Sequence, residues 1–318
     1  MASKGSLRYT ITCAPTKQNW SDLRDWIEEL VWLDVDRSMF DLVLDGKLSG
    51  IAIAAFAIGE NGKTLGCAVA FDYAAVNVTY VAWFVVAKEV RGQGVGKEVW
   101  SRMMNSIPKG RVKKIHSRGG MTTKYRSVDF PHSGKCWEVF LVDANSLPKS
   151  IAHLGSPKKE AQIQIGPIAE ESLKHALEYD TDVIKYDRSN ILKDYFNLDY
   201  VISCVAVDKE TGKCLGYGCL VPQNKSDTIF KLAPLLAENP TVAKLLIEKL
   251  LETRKEDCKI VLFIVENSVG DRVLCPLLTA NGDVPQYQMD TSYSGSFEEP
   301  ADPNRLFSGM ANIIYLEH

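Results

Sequence analysis

Three glycines in five residues, Gly92, Gly94 and Gly96, separate an apolar run from an amphipathic one. Upstream, Val81-Ala-Trp-Phe-Val-Val86 reads as a buried strand; from Lys97 the apolar residues recur at helical spacing to about Ile107. Glycine, lacking Cβ, takes up left-handed angles and lets a backbone turn come close to a bulky anion. The first amides of the helix, and its dipole, then point at that anion. A pyrophosphate is the natural guest of such a run of amides.

Spacing removes two phosphate-binding loops. A Walker A loop needs four residues between its first glycine and Gly-Lys-Ser/Thr, but Arg91 holds the first position and Glu98 follows Lys97. A dinucleotide fingerprint needs Gly-x-Gly-x-x-Gly, and the chain has Gly-x-Gly-x-Gly.

The rest of the chain reads as alternating short strands and helices. Arg8 to Cys13 alternates like a strand, and Asn19-Trp-Ser-Asp22 offers a helix start before Leu23, Trp26, Ile27, Leu30 and Val31. A short helix over Asp36 to Leu44 precedes strands Ile51 to Ile58, Thr64 to Tyr73 and Val78 to Val86, the first two joined by an Asn-Gly hairpin turn. After the glycine loop and its helix come strand Val112 to Ser117, helix Met121 to Ser127 and strand Cys136 to Val142. A polar stretch with Pro148, Gly155 and Pro157 then reads as a linker. Beyond it the order partly repeats: strand at Ile163, helices Ala169 to Tyr179 and Arg188 to Tyr195, and strands Tyr200 to Val207, Cys214 to Val221 and Thr228 to Leu232. A helix from Pro240 to Arg254, strand Lys259 to Val265, helix Gly270 to Ala280 and strands near Gln286 to Met289 and Ile313 to Leu316 complete it. The expected division is residues 1–145, a linker over 146–159, and 160–318, two α+β units built on one plan.

Composition excludes several classes. With 46 % hydrophobic and 24 % charged residues and a net charge of −3, the chain is an ordinary globular one with no general pull toward nucleic acid or anionic membranes. Lys109, Arg111, Lys113, Lys114 and Arg118 are the one basic cluster, either a solvated face or an attractor for nucleotide phosphates. Eight cysteines without CxxC spacing read as buried apolar residues in a reducing compartment, and five histidines share no ligand spacing, so no metal is expected. No apolar run reaches membrane-spanning length, and Met1 to Gly5 lacks the apolar core of a leader; a cytoplasmic protein, or a nuclear one, is expected.

Val86-Ala-Lys-Glu-Val-Arg-Gly-Gln-Gly-Val-Gly96, with a strand before it and a helix after, resembles the coenzyme-A-binding signature of the GCN5-related N-acetyltransferases, the GNAT superfamily. The resemblance implies acetyl-CoA as co-substrate and tandem folds, each a mixed, mostly antiparallel central sheet flanked by helices. It implies that Phe84, Val85 and Val86 line the pantetheine arm, and that Arg91, Gly92, Gln93, Gly94, Val95, Gly96 and Lys97 hold the phosphates. Tyr125-Arg-Ser-Val-Asp-Phe130 resembles the family's Tyr-x-x-x-Gly-Phe segment, with Asp129 for the glycine. There the tyrosine protonates the departing thiolate; Tyr125 is read here either in that role or as a core aromatic. The family's cofactor-contacting asparagine is replaced by Arg118.

Residues from about 160 onward resemble the YitH/HolE-type acetyltransferase domain through Asp187-Arg188, Leu215-Gly-Tyr-Gly218, the helix Ala243 to Leu251, Tyr287-Gln-Met289 and Ile313-Ile-Tyr315. Their counterpart of the glycine loop, Leu236-Ala-Glu-Asn-Pro-Thr241, has no glycine and carries Glu238, so this half is expected to shape the acceptor pocket or the interface, with cofactor binding of its own as the alternative, since domains of this type can lack the glycine-rich form. The implied reaction is direct attack of a neutral amine on the thioester in a ternary complex, with an amide near Phe84 to Val86 polarising the carbonyl. Asp72, Tyr73 and Tyr80 lie on strands facing the cleft, with turn or packing roles favoured for each. A small primary amine or amino acid is the expected acceptor, with a protein amine or a non-catalytic acyl-CoA-binding role as rivals, and a monomer or homodimer as the assembly.

Overall fold

The computed structural model describes residues 7–310 apart from 31, 34, 36, 157–159, 224–227 and 255–256. Val31, Asp36, Pro157 and the strand expected near Ile313 to Leu316 lie outside the described residues.

In chain order the first half contains β1 (Tyr9–Thr12), α1 (Lys17–Leu30), α2 (Arg37–Leu44), β2 (Ala52–Gly59), β3 (Thr64–Tyr73), β4 (Val78–Val86), α3 (Val95–Ser106), β5 (Val112–Ser117), α4 (Gly120–Arg126) and β6 (His132–Asp143). A short helix α5 (Leu147–Ser150) follows, with Leu147 and the adjacent Ile151 buried. The second half contains β7 (Ile163–Pro167), α6 (Glu170–Ile184), α7 (Ser189–Phe196), β8 (Ile202–Asp208), β9 (Cys214–Pro222), β10 (Ile229–Ala237), α8 (Pro240–Glu252), β11 (Lys259–Val265), α9 (Val269–Ala280), β12 (Pro285–Tyr293) and β13 (Leu306–Ser308).

Helix α1 starts two residues before the expected Asn19. Thr16 Oγ1 accepts from the Asn19 amide and Asn19 Oδ1 accepts from the Thr16 amide, a reciprocal cap that moves the start back to Lys17. The Asn-Gly turn forms as expected, with Gly62 at φ +79°.

The strands form one sheet in the order β1-β2-β3-β4-β5-β12-β6-β11-β10-β9-β8-β7, with β13 added on β10. Only the β4–β5 and β10–β11 pairs are parallel among the described strands; each is the centre of one half. The halves exchange strands where they meet. β6 leaves the first half to pair with β11 of the second, from Asp143 opposite Lys259 to Trp137 opposite Val265. β12 of the second half inserts between β5 and β6. One large apolar core, from Trp20 and Trp83 through Tyr195 and Val205, runs across both halves; α3 covers a second core and α8 and α9 a third. Trp83 is its centre in the first half, stacked on Phe40 with centroids 4.8 Å apart and edge-on to Phe71.

The basic cluster of the sequence is dispersed. Lys114 is fully buried with Nζ 2.6 Å from Glu299, and Arg111 donates to Asp72 at 2.7 Å, so neither charge is available to a solvated face or a phosphate. No helix among the described residues is long and apolar enough to cross a membrane.

Candidate functional site

The parallel pair β4–β5 is hydrogen-bonded only from Val78 opposite Val112 to Val81 opposite Ile115. Beyond that point β4 carries an extra residue, Ala82, against β3, where Val69 pairs with Trp83 and Ala70 with Val81. A bulge increases local twist and bends the strand, so β4 swings away from β5, which continues against β12. Between the splayed strands lies a cavity of about 700 Å³. Its walls include Phe84, Val85, Val86 and Arg91, all expected from the sequence, and Tyr125 from α4.

The glycine turn follows β4, and Arg91 at its start lines the cavity. Gly92 and Gly94 take φ of +78° and +92°, and Gly94 caps α3 without a side chain to occupy the helix's first amides. Those amides have no intrahelical carbonyl to meet, and the dipole adds positive potential there. Gly96 is needed for closeness of a different kind: a Cβ there meets Phe84 Cζ and Val86 Cγ2 at 3.2 Å. Arg91 folds back so that Nε donates to the Val86 carbonyl at 3.0 Å, and Gln93 donates to the Glu89 carbonyl. Val95 is buried in the core beneath, leaving its backbone as its only contribution to a ligand, and Lys97 is exposed. Of the residues expected to hold the cofactor, Phe84, Val85, Val86 and Arg91 line the cavity, whereas Gly92 to Lys97 follow in the turn and first turn of α3 and are not among its lining residues.

Tyr125 has an aromatic setting. Its ring stacks on Trp100 at 5.4 Å and meets Phe130 edge-on. Burial pushes its phenol up to about 12, which keeps it protonated at neutral pH. The ring is packed against aromatic neighbours, and the residue also lines the cavity. Asp129, standing where the resemblance expects glycine, accepts from the Trp100 indole at 3.1 Å and so holds the ring against which Tyr125 stacks. Helix α4 is in turn tied to the exchanged strand, Thr122 donating to Asp290 and Arg126 to Ser292 of β12.

His116 was not legible as a site residue. It is the first β5 residue beyond the last β4 pair, at the vertex of the splay, and it lines the cavity. Tyr80 Oη lies 3.4 Å from its Nδ1, while Nε2 is buried without a partner. Burial, and then the charge of Lys114, push its imidazole well below the ordinary histidine range, so it is neutral. Of the tyrosines and aspartate read from the sequence, Tyr80 reaches the cavity. Tyr73 is packed in the core, and Asp72 binds Arg111 and Thr79. Burial alone raises Asp72, but its hydrogen bonds from Arg111 and Thr79 prevail and hold it below the usual carboxylate range. Met289 of β12 and Trp32 after α1 complete the walls, and Arg118 stacks its guanidinium 3.9 Å above Tyr287 of β12. Among the described residues, no aspartate or glutamate lines the cavity. The signal for His116 was its place after the partner of the glycine-loop strand; Met289, named from the sequence only within the second half's resemblance, reaches this cavity by strand exchange.

A model of the acetyltransferase (GNAT) family matches residues 9–117, which hold this splay and turn. A model of an acetyltransferase (GNAT) domain matches residues 176–287. The chain belongs to the GNAT superfamily, with two of its domains in tandem. Acyl transfer is the reaction class of the family. An uncharacterized protein of Caenorhabditis elegans is 24% identical over 229 residues, 72% of this chain and 71% of its own. Among solved structures, a putative acetyltransferase from Pyrococcus horikoshii superposes with a TM-score of 0.62 at 15% identity, covering 96% of this chain and 95% of that one. A tandem GNAT protein from the clavulanic acid biosynthesis pathway gives 0.61 at 11% identity, over 92% and 100%. At these identities the likeness is one of fold.

Proposed function

We propose that this tandem GNAT protein transfers an acetyl group from acetyl-CoA to a primary amine, an amino acid or similarly small molecule. The observation that carries this reading is the open splay beside β4, with an uncapped helix start at one end and His116 and Tyr125 on its walls. The turn from Arg91 to Lys97 takes the pyrophosphate, and the pantetheine arm lies along Phe84, Val85 and Val86 in place of the missing strand partner. The thioester then reaches the vertex, where an amide of β4 polarises its carbonyl.

There the acceptor nitrogen attacks the carbonyl carbon, forming the C–N bond as the carbonyl electrons move to oxygen. Its surplus proton goes to His116, directly or through a water. Among the described residues that line the cavity, the phenols, arginines and lysine are donors at neutral pH, and His116 is the imidazole, held neutral by its burial. Collapse breaks the C–S bond, and Tyr125 gives its proton to the thiolate sulfur.

About 700 Å³ is space for a thioester and a small acceptor. Arg118, fixed on Tyr287 and without a carboxylate partner among the described residues, favours an acceptor that carries its own carboxylate. The second half's part is to supply Met289 to the cavity wall and Tyr287 as the ring on which Arg118 stacks. We place the reaction in the cytoplasm.

The test is release of free thiol from acetyl-CoA in the presence of amines, amino acids and peptides. Amino acids are expected to give the fastest turnover. Tyr125→Phe is expected to lower kcat by about tenfold or more with acetyl-CoA affinity retained, and His116→Gln to remove the acidic limb of the pH–rate profile. Binding of acetyl-CoA without thiol release by any acceptor makes the chain a binding protein and refutes the enzymatic reading. An unchanged rate in Tyr125→Phe returns that residue to the core.

A further inference from the structure

The second half repeats the splay but not the opening. β10 and β11 pair in parallel only from Ile229 opposite Lys259 to Lys231 opposite Val261, then diverge as β4 and β5 do. One edge of β10 stays with β9 to Ala237, and one edge of β11 stays with β6 to Val265. The two facing edges are occupied by β13. Ser308 and Leu306 pair antiparallel with Leu235 and Leu236 of β10. On the other side the Phe263 amide of β11 donates to Ser308 Oγ at 3.1 Å, and the Gly309 amide to the Phe263 carbonyl at 2.8 Å.

Along the second splay, the edges, the vertex and the start of α8 all meet groups of the same chain. At the vertex, the buried Lys231 donates to the Met310 carbonyl at 2.8 Å. Along the arm, the Ala237 amide donates to the Arg305 carbonyl. Where phosphates would lie, Asn239 Oδ1 accepts from the Thr241 and Val242 amides that open α8, and Glu238 pairs with Arg305 at 3.2 Å. The neighbouring helix α9 is fitted to the segment as well, since a Cβ on Gly270 would stand 2.2 Å from the Phe307 carbonyl oxygen. Leu306, Phe307 and Ser308 are essentially inaccessible.

We propose that the second half carries a strand-binding cleft where its fold would otherwise place an acyl-CoA site, and that residues 305–310 of the same chain are its ligand. The class of ligand is an extended peptide with a basic residue at the phosphate end. The chain therefore takes up one acyl-CoA, in the first half. This count rests on the donor assigned above, whereas the occupancy of the second cleft does not. The occupied cleft also anchors β12, because β12 and β13 are joined by the short segment 294–305, and β12 forms a wall of the first cavity.

Equilibrium dialysis with labelled acetyl-CoA, combined with amide exchange read by mass spectrometry on the full chain, tests it. In the unliganded protein the amides of residues 306–309 are expected to exchange about a hundredfold or more slower than an unstructured peptide. Acetyl-CoA is expected to bind at one equivalent, to slow exchange over residues 82–97 and to leave 306–309 unchanged. Gly94→Asp should abolish that one equivalent. Two equivalents, or binding that survives Gly94→Asp with faster exchange at 306–309, overturns the proposal. If no acetyl-CoA binds at all, the donor assignment fails; the strand-binding cleft then stands or falls on the unliganded exchange, and rapid exchange at 306–309 refutes it.

Discussion

Replacing Gly94 separates the electrostatics of the proposed phosphate cradle from its backbone shape. A Cβ on this residue meets no atom within 4 Å, so neither alanine nor aspartate clashes with the protein. Both pay for φ +92°, a conformation that costs a residue with Cβ about 1 kcal/mol. Aspartate at a helix start recovers part of that through the dipole, so both variants should fold, with similar melting temperatures. They differ once a pyrophosphate is bound. A carboxylate about 5 Å from one phosphate charge, at an effective dielectric of about 20, is repelled by about 3 kcal/mol, which is about a hundredfold or more in Kd. Titration calorimetry with acetyl-CoA at low and high salt should give Gly94→Ala within about tenfold of the native Kd. Gly94→Asp should be weaker by about a hundredfold or more, with the gap narrowing as salt screens the charges. Native affinity in Gly94→Asp refutes the cradle. Equal losses in both variants refute its electrostatic part and leave only the backbone angle.

Three further outcomes follow from the geometry. His116 resists protonation when folded, whereas in the unfolded chain it takes a proton below about pH 6.5. The unfolded state then binds more protons, so stability falls as pH drops below that value, by up to about 1.4 kcal/mol per pH unit until the folded imidazole titrates. Denaturant midpoints from pH 8 to 5 should show this slope in the native protein and its reduction in His116→Gln; parallel curves refute it. Asp72 has the opposite starting charge but the same sense: its carboxyl, held low by Arg111 and Thr79, stabilises above about pH 4 and stops doing so as pH falls through its folded value. Asp72→Asn should flatten the acid limb of the stability curve, and an unaltered limb removes the pair from the account. Gly270→Ala forces a methyl group against the Phe307 backbone, an overpacking of about 1–3 kcal/mol. It should lower Tm and speed amide exchange at 306–309, and a native Tm with native exchange refutes the fit.

Local features were read well because their causes are local. The strand Val81 to Val86, the three glycines and the helix behind them lie within one short stretch, and each is set by sterics or periodicity of neighbouring residues. The same holds for the hairpin at Gly62 and for the absence of a glycine cradle before α8. Errors arose where a partner was distant. Lys109 to Arg118 read as one basic cluster, yet Lys114 is neutralised by Glu299, far along the chain, and Arg111 by Asp72.

By itself, then, the sequence determined the strand–glycine turn–helix unit, the repeated α+β plan and the residues flanking one phosphate-sized turn. Tertiary structure alone decided that β6 and β12 change places, that Met289 reaches a cavity otherwise lined by residues of the first half, and that His116 stands neutral at its vertex. It also decided that the second splay is filled, since β13 has only three residues and no periodicity to announce it. Pairing between strand edges depends on which backbone groups are left open after all other strands have paired, and that is a property of the whole sheet.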